Sequence, residues 1–454
     1  MMPSAFDPFV KQTPLCVMAR LTLERLFLPQ RLDQLFRAVA REQYQKNLLF
    51  SQLFELMMAV VLRIDASVHA AHRKRRAVIP VTDQAVYDKL RHLELGVSAA
   101  LVADSAAQVA PVIKALGARL PAWLPDFRVR VLDGNLLSKT QKRVRELRHT
   151  WAAGLPGRVL AVYEPESDLV TRVFLNPDAH ASERDLFDDV LKTVEARDLW
   201  IADSNFCTLK FLFRTAAAEA RFVVRQHGTL VGTPAGERRF RGRADTGSVF
   251  EQTWEWTWEG EKQRFRRITL VLDVPTRDGD TEIHVLTNLR KSEAGAAKVA
   301  ELYRRRWTIE GRFYELAQTL NGEPNTLGYP KAALFAFCLA PMASNAAALL
   351  RAALRAAHGA DAVGTMSGHY MAEEMRETHR GMMVALPPER WQPFRDLTVD
   401  QWAALLKDLA GRVTPAAYRK STRGPKKKPP DKGTYHNGGH VATQRLIEQR
   451  KAGR

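Results

Sequence analysis

Cysteine is scarce in this chain: its 454 residues hold only Cys16, Cys207 and Cys338. The three lie far apart and form no CxxC pair, which argues against a structural zinc site or a disulfide framework and fits a reducing compartment. There is no Walker-type loop, no GxGxxG and no internal repeat, so the common nucleotide-binding signatures are missing. The opening stretch, MMPSAFDPFVKQTP, has no apolar h-region, and no signal peptide is expected. Acidic residues are in deficit: 50 Asp and Glu against 68 Lys and Arg leave a net charge of +18 and a pI near 10.0. Such an excess points to a polyanionic partner, either nucleic acid or an anionic membrane surface. No amphipathic basic segment with a lipidation signal accompanies it, so nucleic acid is the better reading. One uncharged run, 332 to 350, has the length to span a bilayer. Pro341, Ser344 and Asn345 interrupt it and no aromatic belts flank it on both sides; we read it as a buried helix and expect no membrane partner.

What is present describes a soluble protein of several domains, with 46% apolar and 26% charged residues. Residues 1 to 125 carry helical periodicity, at 32 to 63, 83 to 95 and 99 to 116, without alternating strand patterns. Thr82 or Asp83 caps the helix that carries Tyr87, Lys89 and Arg91, a helix that either enters a DNA groove or belongs to a plain bundle. From 126 the period changes to two. Phe127, Val129, Val131 and Asp133 share one strand face, and two further short apolar runs complete a meander. A helix at 183 to 196, a strand ending at Asp203, a helix at 207 to 220 and a strand at 221 to 225 follow. Asp133 also suits a turn with Gly134, and Asp203 also suits a helix cap. Residues 226 to 289 are rich in strand signals, with a hairpin around 277 to 280. Trp254, Trp256 and Trp258 lie on one face there, read as packing rather than as a platform for a base. The runs RRFRGR at 238 to 243 and RFRR at 264 to 267 are candidate DNA contacts or simply solvated charge. Residues 358 to 417 are again helical. Residues 418 to 454 hold eleven Lys or Arg against Asp431 and Glu448, a net +9 that is half the excess of the whole chain. We expect this Pro/Gly-rich basic tail, with Lys426, Lys427 and Lys428, to be unfolded when free and to touch DNA.

The stretch 302 to 320, LYRRRWTIEGRFYELAQTL, reads as one amphipathic helix on which Tyr303, Trp307, Glu310 and Tyr314 recur. A carboxylate among aromatics needs a positive partner, which is either Arg306 one turn earlier or a metal ion.

The spacing of Tyr303, Arg306 and Glu310 resembles the Y-x-x-R-x-x-x-E signature of a branch of bacterial insertion-sequence transposases with a DDE triad. The likeness extends through VRVLDGNLL at 129 to 137, PGRVLAVYEP at 156 to 165, LWIADSNFCTLKFLF at 199 to 213 and GYPKAALFAFCLA at 328 to 340. The pattern departs at Ala317, where a Lys is common, and at Ser204, where an Arg is common. The resemblance implies an α/β chain with a ribonuclease H-like mixed sheet flanked by helices. Its catalytic domain is split between 126 to 225 and 290 to 357 around a β-rich insertion at 226 to 289, and an all-helical DNA-binding domain precedes it at 1 to 125. It implies Asp133, Asp203 and Glu310 as catalytic, metal-holding carboxylates, and Tyr303, Arg305, Arg306 and Trp307 as DNA contacts. Three converging carboxylates repel by roughly 4 kcal/mol per pair at about 4 Å and an effective dielectric near 20, so they need cations. Mg2+ suits them, with Mn2+ able to replace it, and two ions serve an in-line phosphoryl transfer.

The implied activity is metal-dependent cleavage at transposon ends and strand transfer into target DNA by a cut-and-paste route through a hairpin. The implied partners are double-stranded inverted repeats, target DNA and a second copy of the chain, in a bacterial cytoplasm on the nucleoid. A catalytically inactive DNA-binding relative and a nuclease that cuts without joining are the competing readings.

Overall fold

The computed structural model describes residues 2–43, 45–138, 140, 144–148, 152–276, 279–309, 311, 320–421 and 440–452. Its central sheet begins as the alternation predicts. β1 (Arg128–Leu136) is followed by a short strand off the sheet, β2 (Ala153–Leu155). β3 (Arg158–Glu164) and β4 (Leu169–Asn176) then complete an antiparallel meander with β1. β5 (Asp198–Ala202) lies parallel to β1 on its other side, and β6 (Arg221–Arg225) lies parallel to β5. The resulting order β4-β3-β1-β5-β6, antiparallel only in its meander, is that of a ribonuclease H-like sheet.

The β-rich segment does not form a separate layer. It consists of β7 (Thr233–Pro234), β8 (Arg239–Ala244), β9 (Gly247–Trp258), β10 (Glu261–Leu272) and β11 (Glu282–Thr287). β10 and β11 make the expected hairpin, and β11 pairs antiparallel with β6, so this segment continues the central sheet. Trp256 is buried against Phe265, while Trp254 and Trp258 pack at the edge of the same cluster, in agreement with a packing role. The basic runs are largely paired: Arg238 meets Glu282, Arg241 and Arg266 meet Glu251, Arg243 meets Asp273, and Arg264 meets Glu255.

Side chains alternate across a strand, so each sheet face collects one parity of residue. One face carries Val129, Val131, Leu199, Ile201 and Val223. The other carries Leu132, Leu160, Trp200 and Phe222, covered by Phe187 of α8 (Phe187–Leu191) and Phe211 of α9 (Leu209–Ala217). The helix expected at 183 to 196 is shorter, a 3-10 turn at Glu183–Leu186 running into α8. The first face is covered by α7 (Leu95–Ala115) and by the long helix Pro330–His358.

That long helix contains the uncharged run, and 94% of its most apolar window is buried, which identifies it as a core helix. Asn345 is fully buried in it: its amide donates to Ser105 Oγ and the Val170 carbonyl and accepts the Val170 N–H, tying the helix to α7 and β4. Such saturation is what makes a buried amide tolerable. The expected helical segment at 32 to 63 is two helices, Pro29–Val39 and Phe50–Val61, locked by Asp33, which accepts both the N–H and the hydroxyl of Ser51 at 2.9 Å. The helix Asp83–His92 is capped as expected, by Thr82 Oγ1. N- and C-terminal helices share one core, in which Phe6 meets Trp391 and Phe394 edge-on at 4.9 and 5.6 Å.

Two expectations are corrected. The stretch 302 to 320 is not one continuous helix: α10 (Ala296–Arg305) ends in a turn at Arg306 and Trp307, and helical geometry resumes at Thr308. The residues 418 to 454 are not uniformly an unstructured tail, because His440–Ala442 (β12) pairs in parallel with β2 and is followed by the helix Thr443–Ala452. Arg445 of that helix reaches Asp178 at 2.5 Å. Lys426, Lys427 and Lys428 lie outside the described residues.

Candidate active site

Asp133 and Asp203 come together because their strands run side by side. β1 and β5 are in register up to Leu132 opposite Ala202, and each aspartate is the next residue of its chain, on the parity of the first sheet face. Asp133 is not a turn residue: it remains within β1 opposite Ala161, it is 8% exposed, and its Oδ1 accepts the Gly134 N–H at 2.9 Å. Asp203 has just left β5. Its Oδ1 accepts the Asn205 N–H at 2.9 Å and so caps the 3-10 turn Ser204–Phe206, which fixes the carboxylate at the strand end while leaving it half-buried.

The turn that ends α10 brings Arg306 over this edge. Its Nη1 lies 2.6 Å from Asp133 Oδ2, with the two side chains 8% and 12% exposed. Tyr303, one turn earlier on the buried face of α10, is 8% exposed. Burial pushes its phenol above the ordinary range; the charge of Arg306 and of Arg225 opposes the shift, and Asp203 adds to it. These couplings join Asp133, Asp203, Tyr303 and Arg306 into one electrostatic unit. Arg225, at the end of β6, was not singled out from sequence; its position at the same end of the strand beyond β5 was the available signal.

The break after Arg305 splits the expected aromatic face. Trp307 is 66% exposed and borders a cleft between α10 and the insertion, beside Tyr303, Arg304, Leu272 and Val274. Arg305 points away from the aspartates: it pairs with Glu301 at 2.5 Å and lies over the Trp123 ring at 5.6 Å. Glu310 lies outside the described residues. The cysteines are buried, and burial pushes the Cys16 and Cys207 thiols up to about 12, so neither is a nucleophile at neutral pH.

Among the described residues no group of three His, Cys, Asp or Glu side chains is placed to hold a metal ion. Asp133 and Asp203 nevertheless suit a hard divalent cation. They are oxygen donors on adjacent strands, Asp133 within β1 and Asp203 one residue past the end of β5.

Part of the chain resembles known proteins. Residues 125–346, just under half of the chain, match the family model of the transposase DDE domain. Among solved structures, a cryo-EM structure of a piggyBac transposase synaptic complex with hairpin DNA is similar at 9% identity and a TM-score of 0.40, covering 94% of this chain and 87% of that one. No curated protein matches the chain.

Proposed function

We propose that this protein is a DDE transposase that cleaves DNA at the ends of a mobile element and joins the freed 3′ hydroxyl to target DNA. The observation that carries this reading is the pairing of strand ends, with Asp133 and Asp203 one residue beyond the matched pair Leu132 and Ala202, inside the segment that matches the transposase domain. Asp133 and Asp203, with Glu310 as the third donor, would hold Mg2+ or Mn2+. Bound there, divalent ions supply charge to the attacking and leaving oxygens of a phosphodiester.

The chain's own residues have separate tasks. Arg306 neutralises Asp133 and so lets a polyanionic backbone approach the strand ends. Tyr303, buried beside Arg306, places its phenol next to the two aspartates, where it can meet a phosphate oxygen. Trp307 offers an open aromatic face at the mouth of the cleft, suited to stacking on a base. The net +18 supplies the long-range attraction to DNA. We further propose cut-and-paste transposition by a homodimer in the bacterial cytoplasm.

The test replaces Asp133, Asp203 and Glu310 singly with Ala and follows Mg2+-dependent nicking and strand transfer on DNA carrying the element's inverted repeats. Each variant is expected to lose both steps while still binding DNA. Cleavage retained by any of them removes that residue from the site. Nicking without joining by the unaltered protein would make it a nuclease.

A further inference from the structure

Glu183 lies on the sheet face opposite the aspartates, directly behind the strand ends that carry them. Gly134 follows Asp133 and faces the other way, and a Cβ built on it would stand 2.2 Å from Glu183 Oε1. Glycine at 134 is therefore the space into which the Glu183 carboxylate fits. Arg158 of β3 fixes that carboxylate, with Nη1 2.8 Å from the same oxygen and side-chain exposures of 22% and 14%. The second oxygen, Oε2, accepts from Asn205 Nδ2 at 3.4 Å. Asn205 is the residue whose backbone N–H holds Asp203 Oδ1. A second tie runs alongside: Arg184 Nε donates to the Asn205 carbonyl at 3.3 Å. The 3-10 turn that bears Glu183 is itself held by a reciprocal cap, in which Ser182 Oγ accepts from Arg184 N and Asp185 accepts from Ser182 N.

From this series of hydrogen bonds we infer that Glu183 is a positioning residue for the reaction proposed above: through Asn205 it sets the orientation of Asp203, and through its seat under Gly134 it fixes that orientation relative to Asp133. Glu183 does not touch the reacting atoms. Its role is the one that outer-shell partners play for metal-holding carboxylates, whose removal typically costs 10–100-fold in metal affinity. The inference rests on the transposase reading, since it presumes that Asp133 and Asp203 hold a divalent ion.

The test measures Mn2+ binding to the full-length protein by electron paramagnetic resonance, without DNA, in the unaltered chain and in Glu183→Ala, Asn205→Ala, the double variant and Asp133→Ala. Glu183→Ala and Asn205→Ala are each expected to weaken Mn2+ binding by about tenfold. The double variant should bind no more weakly than Glu183→Ala alone, because the two act in series. Glu183→Gln keeps one acceptor oxygen for its two donors, Arg158 and Asn205, so its affinity should fall between those of the unaltered chain and Glu183→Ala. If Glu183→Ala does not fold, the exposed Asn205→Ala carries the test alone, and unchanged affinity there overturns the inference. Additive losses in the double variant also overturn it. Loss of Mn2+ in Asp133→Ala with wild-type binding in the other two sinks the positioning role and leaves the proposed function standing. Wild-type binding in Asp133→Ala defeats both.

Discussion

Arg306 Nη1 and Asp133 Oδ2 stand 2.6 Å apart at the edge of the sheet, joining the turn after α10 to the centre of β1. Both side chains are about nine-tenths buried, so the pairing offsets part of the cost of keeping two charges out of water. The pair also sets the charge of the site before any ion arrives: one carboxylate is already balanced, and Asp203 beside it is capped by a backbone N–H.

Removing that counter-charge should therefore cost stability that a divalent ion gives back. Arg306→Gln is expected to lose about 3 kcal/mol in the presence of EDTA, the scale on which breaking a buried pair is felt. Millimolar Mg2+ should recover part of the loss in urea denaturation. Equal losses with and without Mg2+ would mean that the ion does not bind at Asp133.

Acid should weaken the insertion first through His284. Burial, reinforced by Arg267 with Arg238 and Arg225 near it and opposed by Glu282, lowers this imidazole from 6.5 to about 4. The folded chain thus refuses a proton that the unfolded chain accepts. Its contribution is present above pH 6.5 and is lost as pH falls toward 4. Melting temperature should drop across that window, and His284→Gln should flatten the drop. A variant with the same profile as the parent would show that the slope originates elsewhere.

Gly247 at the start of β9 is the least replaceable glycine of the insertion. Its φ is +157°, and a Cβ there would stand 1.9 Å from the Val271 carbonyl oxygen, which belongs to the backbone and cannot step aside. Gly247→Ala should destabilise by about 2–3 kcal/mol, in the range of overpacking effects. Chemical denaturation measures it, and a change under about 0.5 kcal/mol, the ordinary scatter of surface substitutions, would contradict the close approach.

Two truncations should separate the parts of the C-terminal segment. Deleting 440 to 454 removes β12 and uncovers Leu155 and Ala179, so the chain around those two residues should become more susceptible to protease with little change in salt dependence. Deleting 422 to 439 removes Arg423, Lys426, Lys427, Lys428 and Lys432. If these meet phosphates, the slope of log affinity for DNA against log salt should flatten by up to about 4.5, roughly 0.9 for each phosphate no longer neutralised. A slope left unchanged would assign the basic segment another role.

The central sheet was legible because its signals are local. Alternation along β1 and β5 marked both strands and placed Asp133 and Asp203 at the end of apolar stripes, where the sheet puts them. The bond from Arg306 to Asp133 was not legible, because it joins residues far apart in the chain and depends on a turn after Arg305 that no Gly or Pro announces. The pairing that helical spacing offers, with Glu310 four residues on, lies outside the described residues. The same turn exposes Trp307, which a continuous helix would have buried beside Tyr303. The basic runs read as open charge because their acidic partners, Glu251, Glu255, Asp273 and Glu282, are remote from them in sequence or sit on other strands. The strand His440–Ala442 is three residues long, too short for any period to register.

The bond ladder between β11 and β6 has a mechanical corollary. Since β6 adjoins β5, which leads directly to Asp203, the insertion and the aspartates belong to a single stiff lattice. The insertion cannot swing as a hinged flap without unzipping the sheet. Whatever lies against it would instead be gauged as by a fixed ruler, held at a constant offset from the two aspartates.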